Sequence, residues 1–426
     1  MPTATPHVGV RTFLNRADVQ PLIIADLSTI GGTFTPGTGI DRALFPVDTP
    51  VHFTTADAAM VAGAGSGTLR QTIDAIIAEG VTASVVAVVP DILAGDTADQ
   101  AIAKMAGSAS ARTGAWALLD AQAEAGTVPD ILIAPGYAHL RPASAANPIV
   151  TAYDAICERL ITPIVVADTP SADKTVAAEW AADFSESLNI VAIGQGVRVS
   201  VDGSPVVRPA APSVAALMVA TDKSLGGPYY NPGNQGLKGI LGPSRAVDFS
   251  ISDPDSEANW LLQRGVNSIV QLERNRTSRS VNSPQGKTFW GFFNTNSDPL
   301  WRLINVVRTR KAVREVIPRT LVKYIGQNLG PHLAVVLRQA LVGFLNDLAA
   351  LPEPAILPGA EVMWDRNLND NATLRVGGFV INAAWEESPA LVDLQVYTGR
   401  REASFNILAS EIQAAMSQFN VAGQLG

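Results

Sequence analysis

The sequence predicts a multidomain α/β and α+β protein: an α/β part on a mostly parallel sheet, an α+β C-terminal part, and extended strand arms at both ends. Three observations carry this. Between residues 21 and 207, short apolar β-branched runs alternate with amphipathic helical stretches, the pattern of a sheet covered by helices on both faces. Past a Gly/Pro-rich boundary at 226–243, the pattern changes to short strands, an Arg-rich segment and one strong amphipathic helix. The length of 426 residues also exceeds what one ordinary core supports.

Along the chain, residues 1–20 read as an arm. Val8, Val10, Thr12 and Leu14 share one face at period two, and Pro2 and Pro6 disfavour helix. A lone strand is unstable, so it must pair with something. Strands are expected at 22–25, 81–89, 131–134, 164–167 and 189–193, with helices at 68–79, 97–105, 113–122, 149–160 and 174–187. Asp202-Gly203 between β-branched runs predicts a hairpin over 195–207. The stretch 211–242 begins with a small-residue helical run, reaches Asp222 and breaks into a loop from Gly226 to Asn234 with turn residues and two tyrosines. That composition shapes backbone and packs surface; it holds no phosphate cradle, metal ligands or nucleophile.

After the boundary, 264–269 and 278–293 read as short strands and 302–323 is rich in arginine. The helix expected at 331–348 places Leu333, Val336, Leu337, Ala340, Leu341, Phe344, Leu345 and Leu348 on one stripe, with Pro331 suited to its first turn. Strands are expected at 373–382 and 391–398. A terminal strand at 404–409, carrying Phe405 and Ile407, precedes a weakly helical end.

Composition narrows the function classes. Hydrophobic residues make up 47% and charged residues 16%, so the chain is globular, with a weakly polar surface suited to burial against copies of itself. Its net charge is −8, yet residues 264–338 hold thirteen Lys/Arg against three Asp/Glu. Such asymmetry points either to a basic face for an acidic partner or to a solvated helix face with structural ion pairs. The single Cys157 excludes a disulfide framework and a cysteine metal cluster, and its helical setting predicts a small buried apolar residue. With no secretion-signal pattern at the N-terminus and no uncharged apolar run of 18 residues, a soluble protein of a reducing cytoplasm, not inserted in a membrane, is expected.

Catalytic chemistry finds little support. Gly63-Ala64-Gly65-Ser66-Gly67-Thr68 opens a helix but matches neither the dinucleotide fingerprint nor the P-loop. Asp365 to Asn371 resembles the start of a calcium loop, but Asp370 and Val376 stand where Gly and Glu are needed, so it reads as a polar turn before a strand. His7, His52, His139 and His332 are scattered. Asp26, Asp91 and Asp168 lie near strand ends, where helix capping explains them as well as catalysis does. No catalytic residue, cofactor or metal is expected, and the chain is not read as an enzyme. Two alternatives stay open: a cofactor-dependent α/β enzyme built around Gly63 to Gly67, and a nucleic-acid-binding protein using 302–323.

Read together and in order, several stretches resemble the tail sheath proteins of contractile phages and phage-tail-like particles. They begin with Pro6-His7-Val8-Gly9-Val10 and Thr49-Pro50-Val51 ahead of the glycine turn. The most specific part is Pro212-Ser213, Ala215, Asp222, Gly226, Pro232, Asn234 and Gly239. Leu262, Gly265-Val266-Asn267-Ser268-Ile269 and Trp290-Gly291 follow, then Leu303-Ile304-Asn305-Val306-Val307-Arg308-Thr309-Arg310. Phe292-Phe293 departs from the family, where many relatives carry Arg and Thr.

The resemblance implies a structural subunit stacked as hexameric rings around an inner tail tube, contracting to drive the tube through a target envelope without nucleotide. Implied partners are other copies, the tail tube protein, and baseplate and tail terminator proteins, with no direct nucleic acid. Its place would be the virion tail or a tail-like particle, assembled in the host bacterial cytoplasm. On this reading 1–20 is an arm, 21–285 the outer α/β region, 286–403 the inner tube-facing α+β domain and 404–426 the C-terminal arm. Arg308, Arg310, Lys311 and Arg314 would face the tube. Val8, Val10, Thr12, Leu14, Phe405 and Ile407 would link subunits by strand addition beside 373–382 or 391–398.

Overall fold

Runs of Val and Ile form the strands because β-branched side chains suit a pleated surface buried on both faces. The computed structural model describes residues 28–161, 163–272 and 287–422. Its strands are β1 (Ile30–Thr33), β2 (Val51–Thr54), β3 (Ser84–Val88), β4 (Ile131–Ile133), β5 (Ile164–Asp168), β6 (Ile190–Ile193), β7 (Val197–Val201), β8 (Ser204–Arg208), β9 (Gln235–Gly236), β10 (Gly242–Pro243), β11 (Val266–Gln271), β12 (Lys287–Trp290), β13 (Glu361–Met363) and β14 (Asn382–Ala384). The helices are α1 (Ala58–Gly63), α2 (Thr68–Ala78), α3 (Ala98–Ala106), α4 (Ala121–Glu124), α5 (Pro148–Leu160), α6 (Lys174–Ala182), α7 (Ala211–Leu225), α8 (Glu257–Leu262), α9 (Ile304–Leu321), α10 (Pro331–Ala349), α11 (Asn371–Arg375) and α12 (Ala403–Ala422).

Nine strands join one sheet in the order β2-β3-β1-β4-β5-β6-β11-β12-β9. From β3 to β11 neighbours run parallel, with Ile30 beside Val85 and Ile131, Ile131 beside Ile164, and Val165 beside Ile190. The edges are antiparallel: β2 on β3, and β12 and β9 beyond β11. Side chains alternate between faces, so Val85, Ile131, Ile133 and Val166 pack with α2 and α7. Val86, Leu132, Val165 and Ile190 pack on the opposite face with α3, α5 and α6.

The expected alternation of strands and helices over 68–193 is present, with one element read as helix, 113–122, split into a 3-10 turn (Gly114–Asp120) and α4. The strand expected at 22–25 lies outside the described residues. A central strand was missed: β1 reads IGGT, and two glycines are poor strand formers. Glycine is needed there, since a Cβ on Gly32 would sit 2.0 Å from the Ile133 carbonyl oxygen. The hairpin forms as expected, with Asp202 and Gly203 both at positive φ between β7 and β8.

β12 completes the α/β sheet by pairing with β11, so this strand belongs with the first region although the sequence reading put 286 onward in the second. A further core gathers Tyr229, Ala312, Val313 and Val316 with Leu341, Phe344, Leu345 and Leu348 of α10. The N-terminal half of α10 stays partly open: Leu333, Val336 and Leu337 are only half-buried.

Three expectations for the C-terminal part fail. Residues 373–382 do not form a strand: Asp370 caps α11 by accepting from the Thr373 amide at 2.7 Å, and only Asn382 enters β14. The Asp365 to Asn371 segment therefore precedes a helix. Residues 391–398 have no regular structure, and 404–409, with Phe405 and Ile407, lie inside α12 rather than in a strand. The apolar residues Phe405, Leu408, Ile412 and Met416 recur at three and four residues, a helical spacing. A helix also pairs its own backbone groups without a partner strand. Residues to Ala390 form one compact unit and those from Leu391 a second.

Candidate functional site: a buried polar seam and an exposed apolar tail

The four basic residues expected to face the tube, at least three of them from one side of a helix, all lie on α9, and they differ in burial. Arg308, Lys311 and Glu315 fall at i, i+3 and i+7, on the stripe of Ile304, Val307 and Ala312 that packs inward. Arg308 and Lys311 are buried, Arg310 is half-buried and Arg314 is exposed. The signal was present in the sequence: Arg308 stands four residues after Ile304, on an apolar helical stripe. Of these four, only Arg314 is fully exposed.

What the inward residues build is a seam of polar contacts. α7 brings Asp222 opposite Arg308, whose Nη1 donates to Oδ1 at 2.9 Å and Nη2 to Oδ2 at 2.5 Å. Ser28 Oγ also donates to Oδ2, at 3.0 Å. The two charged side chains are 5% and 2% exposed, so this two-pronged pair is shielded from water. Lys311 Nζ donates to the Pro163 carbonyl at 2.5 Å and to Asn189 Oδ1. Burial pulls the Lys311 ammonium below the usual lysine range. Asp130 accepts from the Thr29 amide at 2.9 Å, and burial pushes its carboxyl well above the ordinary value. Toward the C-terminal core, Arg310 Nη2 donates to Glu387 Oε2 at 2.8 Å, its guanidinium lies 4.6 Å from the Trp385 ring centre, and Asn305 Nδ2 donates to the Ser388 carbonyl at 2.9 Å. α9 is thus pinned to the sheet on one side and to residues 385–388 on the other.

Phe405, Ile407 and the apolar residues of 391–397 are exposed. Tyr397 is 90% exposed, and Leu391, Leu394 and Val396 accompany it. Within the first unit, Leu329, Val335, Met363, Trp364, Phe379 and Ile381 line an apolar groove of about 650 Å3. Apolar surface this extensive marks a place where another molecule packs. Val8, Val10, Thr12 and Leu14 lie outside the described residues.

The groups considered for chemistry have structural jobs. Gly67 begins α2 against the 35–37 loop, where a Cβ would meet the Thr35 carbonyl oxygen at 2.0 Å. Thr35 and Thr68 exchange hydrogen bonds, each backbone amide donating to the other's hydroxyl at 2.8 and 2.9 Å. The chain's own loop occupies the helix start that a phosphate would need. Burial pushes the Cys157 thiol up to about 12, too high for a thiolate at neutral pH. Among the described residues no group of three or more His, Cys, Asp or Glu is placed to hold a metal, and no helix is long and apolar enough to cross a membrane.

Asp168, at the carboxyl end of β5, holds the start of α7: its Oδ1 accepts from the Ala210 and Ala211 amides at 2.7 and 3.1 Å. Burial raises its carboxyl from 3.8 to about 7. The folded chain therefore holds a proton there that the unfolded chain has released. This group's contribution to stability falls as pH rises from about 4 to about 7. Asp168→Asn should flatten that part of the stability–pH profile; urea midpoints measured across the window check it, and an unchanged slope would sink the assignment.

No protein-family model matches the chain. Over 362 residues it is 28% identical to a prophage major tail sheath protein of Pseudomonas aeruginosa, covering 84% of this chain and 86% of the relative. It is 22% identical over 380 residues to the tail sheath protein of Escherichia phage P2, covering 87% and 90%. Among solved structures, the sheath of an extracellular contractile injection system in its contracted state superposes with a TM-score of 0.66 at 14% identity, covering 93% of this chain and 99% of that one. The contracted helical sheath of the anti-feeding prophage gives 0.59 at 18% identity, with 93% and 100% covered. The chain is thus similar in sequence over most of its length to tail sheath proteins of a prophage and a phage, and shares the fold of solved contractile sheath proteins.

Proposed function

We propose that copies of this chain stack as hexameric rings around an inner tail tube, and that the sheath contracts to drive the tube through a target cell envelope. The observation that carries the reading is the extent of the likeness: both sheath relatives align over more than four fifths of the chain. The exposed apolar tail supports it, since polymerisation would cover that surface. Baseplate and tail terminator proteins would bound the polymer, and assembly would take place in the host bacterial cytoplasm. Negative-stain microscopy of the purified protein, with and without its tube protein, tests this. Rings or tubes are expected; a strictly monomeric species at high concentration, with both termini intact, refutes it.

Of the four basic residues, Arg314 and half-buried Arg310 remain able to meet an acidic tube surface, while Arg308 and Lys311 hold α9 in place. Lys311→Glu would set a carboxylate against the Pro163 carbonyl and Asn189 Oδ1, so it reports on folding and not on the tube. Arg314→Glu is the cleaner probe. It should leave the melting temperature unchanged and weaken extended sheath on tubes most at low salt, because screening acts within about 10 Å at 0.1 M. Equal sheath yield for the variant and the unaltered protein at low salt would remove Arg314 from the interface.

A further inference from the structure

A guanidinium grips a carboxylate through two parallel N–H bonds, and two arginines without such a partner line one cleft here. The cleft lies between α6, the end of α8 and the 295–297 loop. It is open, holds about 530 Å3, and is lined by Thr175, Ser185, Trp260, Gln263, Arg264 and Arg302 among others. Arg264 is exposed yet held in one orientation. Its guanidinium lies 3.7 Å from the Trp260 ring centre, and its Nη1 donates to the Trp260 carbonyl at 3.1 Å. Lys174 Nζ sits 5.0 Å from the same ring centre. Arg302 is half-buried, 4.7 Å from the Phe293 ring centre, and its Nη2 donates to the Leu262 and Gln263 carbonyls.

These contacts position the two arginines without balancing their charge. Among the described residues neither has a carboxylate within ion-pair distance. Burial pulls Arg302 below the usual arginine range. Glu179, the one carboxylate on the cleft wall, is engaged by Arg141 at 3.2 Å; the same arginine grips Asp183 at 2.9 and 3.0 Å. Thr175, Ser185, Gln263 and Ser297 bring hydroxyl and amide donors whose side chains make no hydrogen bond among the described residues. Such a wall repels a cation. Water satisfies the donors but leaves the charge uncompensated. A carboxylate meets both needs, and the chain is rich in that group, with 39 Asp and Glu against 31 Lys and Arg.

We propose that this cleft binds a carboxylate, gripped by Arg264, with Arg302 adding positive charge. A free dicarboxylate and an Asp or Glu side chain of a second copy share this chemistry. The second source rests on the assembly proposed above; the first does not, so the two can fail separately.

The test uses the full-length protein. In the first arm, dilute protein is treated with phenylglyoxal, which modifies accessible arginines, in sodium malonate or in sodium chloride at equal ionic strength. Mass spectrometry follows each arginine. Malonate should slow modification of Arg264 saturably, about threefold at twice the dissociation constant, and leave exposed Arg314 unchanged. In the second arm, Arg264→Lys keeps the charge and supplies an amine. Sheath assembled from isotopically mixed copies of this variant is treated with a carbodiimide. A peptide joining position 264 to an Asp or Glu of another copy assigns the side-chain source. Protection by malonate assigns the free carboxylate. If Arg264→Lys does not assemble, phenylglyoxal treatment of unaltered sheath decides this arm: Arg264 modified as fast as in dilute protein excludes the second copy. Equal Arg264 rates in malonate and chloride, together with a negative second arm, overturn the proposal.

Discussion

Arg308→Ala should lower the stability of the folded chain by about 3–5 kcal/mol, the range for removing one partner of a buried ion pair. The loss follows from what remains. Asp222 sits at 2% side-chain exposure, and without Arg308 its carboxylate keeps Ser28 but loses two charge-assisted donors. Taking the cation away from a carboxylate held in a low-dielectric interior is what makes the single truncation severe. Replacing both partners, Asp222→Leu with Arg308→Met, should restore most of the loss, because a buried pair exchanged for apolar side chains of similar volume is often near neutral. Urea unfolding followed by fluorescence, with buried Trp180 among the reporters, measures both. A single variant within about 1 kcal/mol of the unaltered protein would mean that water reaches the pair and the seam is not closed.

The second large effect concerns assembly. Removing residues 391–426 should abolish sheath formation while the remaining chain stays folded. The compact unit that ends at Ala390 contains the sheet and the core around α10, whereas the removed residues expose Leu394, Val396, Tyr397, Phe405 and Ile412. Deleting exposed side chains changes folding stability little, within about 0.5 kcal/mol. If that apolar surface is where neighbouring copies meet, its loss removes polymerisation outright. Sedimentation and microscopy of the truncated chain decide: normal sheath from the shortened protein would exclude this tail as the link. Loss of the native circular dichroism would show instead that it completes the fold. Removal of residues 1–16 is the matching test at the other end, with a soluble, folded and non-assembling chain expected.

Much of the first region was legible residue by residue. Strands such as IVVAD and IVAI declare themselves because a strand covered on both faces must be apolar throughout. α5 and α2 carry the apolar spacing of a helix with one buried face. β1 was not legible, because IGGT is a strand only where β3 and β4 close around it and Ile133 leaves no room for a side chain. The C-terminal strands misled for the same reason in reverse. Period-two patterning in 391–398 describes a segment that could pair, but without a partner strand backbone either stays irregular or closes on itself as α12 does.

By itself the sequence determined the class of the sheet, the hairpin and, through the order of its motifs, the likeness to tail sheath proteins. Those properties depend on local periodicity or on residue order, both carried in one dimension. Only the tertiary structure decided what the charges do. Asp222 and Arg308 are 86 residues apart, and nothing local says that they meet. A run of arginines reads as a basic face until the packing of one helix fixes its rotation, turning Arg308 and Lys311 into the interior and leaving Arg314 outside. Charge at the surface is a property of the sequence; charge that reaches a partner is a property of which side the core has claimed.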